Sequence, residues 1–238
     1  MQFGNDRQTM SQADARVSQH DMGLRKYMLG VYNYMAAALA LTGIVAMLAS
    51  KSLPLMQTIH GTPLKWVVML APIGFVFFLS ARISKVSTKT AQMLFWAFAG
   101  LMGLSLSYVL LAYTGTSVAR TFFITAISFG SLSLYGYTTK RDLSGMGTFL
   151  FMGLIGLILA SVVNIFLQSS MMHMVISAVG VLLFAGLTAY DTQKIKDMYS
   201  AVDGSDIAGK KAIMGALTLY LDFINMFLFL LNFLGERE

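Results

Sequence analysis

Between Asp21 and Asp142 the chain has no acidic residue, and the apolar runs in that interval are each about long enough to cross a bilayer. A soluble fold needs charged residues on its surface at about a quarter of all positions. Here only 12% of residues are charged and 56% are hydrophobic, with a mean hydropathy of +0.68. A soluble globular enzyme and a disordered chain are both excluded. What remains is an all-α polytopic membrane protein.

Seven apolar segments can be read, at 27–50, 64–84, 91–113, 118–138, 146–167, 172–193 and 212–234. One spanning helix takes roughly 20 residues. The expected organisation is a cytoplasmic N-terminal tail over 1–26, a seven-helix domain over 27–234 and a short C-terminal tail over 235–238. The polar tail is followed by an apolar run too long for a cleaved signal, so that run reads as an uncleaved anchor. Residues 113–117 and 168–170 are tight hairpins. Only the stretch from 194 to 211 looks like a real loop.

Lys and Arg are distributed unevenly over the loops. Thirteen fall on one side: Arg7, Arg16, Arg25, Lys26, Arg82, Lys85, Lys89, Lys140, Arg141, Lys194, Lys196, Lys210 and Lys211. Four fall on the other: Lys51, Lys65, Arg120 and Arg237. The positive-inside rule makes the N-terminus cytoplasmic, and an odd number of spans puts the C-terminus outside. This scatter of single cations also explains the net charge of +6 better than nucleic-acid binding does. With no cysteine, thiolate metal sites and thiol nucleophiles are absent. No His-Glu-x-x-His or Gly-x-Ser-x-Gly motif occurs, so an enzyme is disfavoured and no cofactor is expected. The last segment has no lysine for a retinal Schiff base. His20, His60 and His173 read as surface residues.

Asp222 carries the most information. It lies inside the last apolar segment, eleven residues past Lys211, on the order of 10–14 Å deep if that helix enters near Ile213 or Gly215. An ionisable residue there is costly and marks function by default. Asn225 shares its helix face. Asp191 ends the sixth segment on the same side, in Thr188-Ala189-Tyr190-Asp191-Thr192-Gln193-Lys194. Alone it is equally an ordinary helix-end residue. Together the two aspartates sit on consecutive spans and could face each other. Two carboxylates in a low-dielectric site cannot both ionise cheaply, so such a pair tends to share a proton. It also offers hard oxygens suited to weak, transient Ca²⁺ binding, since tight binding takes six to eight. Arg82, after the second span, either pairs with these carboxylates or anchors topology beside Lys85 and Lys89. The small-residue stretches 103–108 and 130–135 read as helix packing or, as a second reading, as a hydroxyl-lined pathway.

Ala189-Tyr190-Asp191-Thr192-Gln193-Lys194-Ile195 resembles the signature of the Bax-inhibitor family, also called the transmembrane Bax inhibitor motif family. The resemblance extends to Tyr220-Leu221-Asp222 with Phe223 to Asn225, and to Thr90-Ala91-Gln92. It is strongest to the bacterial branch. It implies seven helices with the last one central, wrapped by the other six, and a pH-sensitive Ca²⁺ leak in a bacterial inner membrane. Asp191 and Asp222 match the aspartate pair of that family. Arg82 resembles the second-helix arginine that locks its closed state. Tyr190 and Asn225 stand beside the pair. The resemblance also implies links to membrane protease regulation and stress survival. Three functions therefore compete: a gated leak for Ca²⁺ and protons, a proton-coupled transporter, and an interaction protein docking a membrane protease through the tail.

Overall fold

The computed structural model describes residues 3–237, with side chains from Ser18 onward except His60. Seven long helices make up the described fold: α1 Phe3–Ser50, α2 Leu64–Arg82, α3 Thr88–Leu106, α4 Gly115–Thr138, α5 Ser144–Leu167, α6 Ser170–Asp197 and α7 Ser205–Leu234. All seven are long and apolar enough to cross a membrane. A short helix, Leu53–His60, joins α1 to α2, and a further turn, Val109–Ala112, continues α3.

The helix ends follow local chemistry. Ser87, Thr114 and Ser169 cap α3, α4 and α6 by accepting the backbone N–H of Thr90, Ser117 and Met172. Gln168 ends α5 in the left-handed region, at φ 50°. Pro54 and Pro63 stand at the starts of their helices, where a missing N–H costs nothing.

The tail expected over 1–26 is helical from Phe3 and continuous with the first span. One sequence expectation changes. The expected loop of 194–211 shrinks to 198–204, because α6 runs on to Asp197 and α7 begins at Ser205. The polar residues that suggested a loop are satisfied within helices. Lys210 pairs with Asp206 at 2.7 Å, one turn apart. Lys211 holds the short connection by donating to Met198 O (2.9 Å) and Asp203 Oδ2 (2.6 Å).

α7 is the central helix. Two thirds of its most apolar window is buried, against a third or less for every other span. It packs on α1, α3, α4 and α6. The other two helices do not complete a ring of six. α2 rests on α3, and α5 rests on α6. Tyr220 of α7 is fully buried and packs edge-on against Phe95 and Phe98 of α3. Its hydroxyl meets Thr42 Oγ1 at 2.7 Å, and Thr42 in turn donates to Ala99 O. Buried polar atoms are thus paired across three helices, which hydrocarbon surroundings require.

The helix ends gather on two faces. On the basic face, Tyr199 packs on His20 and Tyr27, and Lys196 donates to Tyr137 O. On the opposite face, the chain end folds onto the start of α4. Thr114 N–H donates to Glu236 O, and Glu236 N–H donates to Ser117 Oγ.

Candidate functional site

The register between α6 and α7 sets the site. Ile195 fills the space over Gly215, where a Cβ would come within 2.9 Å of its side chain. Counting along both antiparallel helices from that contact places Asp191 opposite Leu219. Asp222 is then three residues deeper, about 4.5 Å. The two carboxyl groups lie on the wall of one cavity.

Asp222 is 5% exposed, and its buried Oδ2 has no hydrogen-bond partner. An oxygen so placed can take a proton or accept from a donor. Asp191 is half-buried. A cation, Lys194, stands one turn along the same helix. Lys194 Nζ lies 5.8 Å from the Tyr190 ring centre, consistent with a cation–π contact.

Both aspartates line a cavity of about 910 Å³ between α5, α6 and α7. The space exists because α5 leans on α6 and does not pack on α7. Toward the basic face it carries Ser144, Thr148, Tyr190, Lys194 and Thr218, with Asn225 deeper, at the level of Phe184. Asn225 points its amide at Leu221 O (2.8 Å), so its carbonyl oxygen is free of that bond. The far half is mostly apolar, with Ser161 as a hydroxyl on its lining and Phe184 and Phe229 stacked at 5.8 Å. Gly180 makes room for that stack, since a Cβ there would lie 2.6 Å from the Phe229 ring.

Arg82 is not part of this site. It is exposed at the end of α2 and does not line the cavity, and α2 packs on α3, not on α6 or α7. The sequence pointed to Arg82 and overlooked Lys194, whose spacing from Asp191 was the available signal. Among the described residues, no third His, Asp or Glu joins the pair to form a metal cluster. The hydroxyls of the 103–108 and 130–135 stretches do not line this cavity. Ser107 bonds back to Leu104 O, and Ser133 bonds to Tyr32 and Thr192.

Each residue of the 189–193 segment has a distinct task. Ala189 lies against Gly136 of α4, where no larger side chain fits. Tyr190 and Asp191 face the cavity. Thr192 Oγ1 reaches Ser133 of α4 at 2.9 Å and bonds back to Thr188 O. Gln193 clasps the α4–α5 connection: its Oε1 accepts Leu143 N–H (2.7 Å) and its Nε2 donates to Arg141 O (2.8 Å). One turn of helix thus fixes α6 to α4 on one side while presenting Asp191 on the other.

The sequence model of the family described as inhibitor of apoptosis-promoting Bax1 matches residues 24–238. The chain belongs to the Bax-inhibitor family. Among its relatives in that family, a protein of Rickettsia prowazekii is 52% identical over 92% of each chain. Inner membrane protein YbhL of Escherichia coli is 47% identical, covering 91% of this chain and 94% of its own. A Caulobacter vibrioides protein is also 47% identical, over 92% and 91%. In this Bax-inhibitor family member Asp191 and Asp222 both line the cavity between the last three helices.

Proposed function

We propose that this Bax-inhibitor protein is a pH-sensitive cation leak of a bacterial inner membrane, with Ca²⁺ as the favoured cargo and the Asp191–Asp222 pair as its gate. The observation that carries this reading is the carboxyl pair on the wall of the α5–α6–α7 cavity, with one buried oxygen left without a donor. Such an oxygen suits either a proton or a hard cation. The charged or titratable groups around the pair are Lys194 and Tyr190 on α6, while α5 and α7 bring hydroxyls and an amide. Proton occupancy therefore decides the net charge of the polar half. The basic face is taken as cytoplasmic, from the thirteen-to-four distribution of Lys and Arg. The stacked Phe184 and Phe229 line the deeper part of that cavity.

The test is Ca²⁺ entry into dye-loaded liposomes between about pH 5 and 8, for wild type, Asp191→Asn and Asp222→Asn. Flux that varies with pH in the wild type, and loses that variation in both variants, supports the gate. Variants that keep the wild-type pH response overturn it. Folded protein with no flux above empty liposomes at any pH would favour a partner-binding role.

A further inference from the structure

A second large cavity lies on the other side of α7. α1 and α4 meet at Tyr32 and Ser133, whose hydroxyls are 2.6 Å apart, and otherwise stand separated. The groove between them measures about 1110 Å³ and is almost wholly apolar. Small residues shape it: Ala36, Ala40 and Gly43 on α1, Ala126 and Gly130 on α4, with Phe223 of α7 as part of its lining. It follows α1 from Arg25 to Met47, about 33 Å of helix. That matches the roughly 30 Å hydrocarbon thickness of a bilayer. An apolar space of this size, open along the membrane plane, is filled by hydrocarbon and not by ordered water.

We propose that this groove is a binding site for an anionic phospholipid from the leaflet at the basic face. The argument is charge complementarity at one end only. Arg25 lines the basic-face mouth and has no ion pair among the described residues. Asp21, one turn before it, is 3.8 Å from His20 instead. Lys196 adds a second positive charge behind Tyr137, which also lines the groove. At the opposite end of α4, Arg120 is already paired with Glu236 at 3.6 Å. A planar guanidinium with free donors suits a phosphate oxygen pair. An acyl chain then lies along the Ala36–Ala40–Gly43 strip, with its headgroup at Arg25. This site does not depend on the leak reading, since it lies across α7 from the carboxyl pair.

The test uses the full chain in detergent, titrated with phosphatidylglycerol or with phosphatidylcholine of identical acyl chains and read by native mass spectrometry. Wild type is expected to retain phosphatidylglycerol preferentially. Arg25→Gln should lower that preference about fivefold, the weight of one cation at an anionic headgroup. Gly43→Leu with Gly130→Leu should reduce retention of both lipids at an unchanged melting temperature, because a Cβ at either glycine meets no atom within 4 Å. Equal retention of the two lipids by wild type, or wild-type preference in Arg25→Gln, would overturn the anionic site. Undiminished retention in the filled-groove variant would place the lipid elsewhere on the protein and overturn it as well.

Discussion

Gly136 of α4 lies directly against Ala189 of α6: a Cβ on Gly136 would strike the Ala189 carbonyl oxygen and sit 3.0 Å from its α-carbon. The contact is backbone on backbone, so neither side can yield by turning a side chain. It falls two residues before Asp191 and fixes the height of that carboxyl. Gly136→Ala should therefore destabilise the protein by about 1–3 kcal/mol, the usual range for overpacking. It should also disturb the pH response of flux. Gly156→Ala, where a Cβ meets nothing within 4 Å, serves as the neutral control. Thermal melting of both variants in one detergent checks the difference, and equal melting would refute the close-contact account.

Gln193 gives a second measurable effect. It is buried, and it alone accepts the Leu143 N–H and donates to Arg141 O. Gln193→Leu would leave that N–H unsatisfied beside an apolar side chain, at about 1–3 kcal/mol. Hydrogen exchange should speed up at Leu143 more than at the helix interior of α5. Protection at Leu143 equal to wild type would show that another acceptor takes over.

The cation beside the pair can be identified by charge removal. An ammonium near a carboxyl favours its ionised form. Lys194 stands one turn from Asp191 on the cavity wall, so Lys194→Gln should shift the flux profile along the pH axis. The shift should be small, because Lys194 is exposed and solvent screens it. Arg82→Gln should leave the profile in place, since Arg82 lies outside the cavity. Measuring both profiles in one lipid mixture decides between them. A shift with Arg82→Gln alone would mean that α2 reaches the pair in a state other than the one described.

The architecture was legible because spanning helices announce themselves by length and hydropathy, and because Asp222 stands out in an apolar run. Asp191 and Asp222 line one cavity, and their positions on consecutive antiparallel spans allowed for that. Three features were not. The helical 194–197 and 205–211 stretches looked like loop, because their lysines find partners only once Asp203, Asp206 and Met198 are brought near. The isolation of Arg82 depends on α2 packing on α3 and the short Leu53–His60 helix and not on α6 or α7, which no local pattern encodes. Both large cavities lie between helices in sparse contact, α1 with α4 and α5 with α7, and sparse contact leaves no periodicity to read.

The stacked rings of Phe184 and Phe229 yield the last prediction. They line the deeper part of the cavity that holds the carboxyl pair, and an apolar constriction formed by them would stop ions by excluding water. Phe229→Ala should raise Ca²⁺ flux several-fold at the pH where the wild type leaks least. Phe229→Leu, which keeps the space filled, should raise it less. Gly180→Val should act like the alanine variant, because its side chain would occupy the place of the Phe229 ring. The constriction lies beyond Asp222, so all three variants should keep the pH dependence while changing its baseline. A baseline unaffected by Phe229→Ala, in protein that melts as a folded species, would mean that ions do not pass between these rings. The carboxyl pair would then control a route out of the cavity along α5 instead.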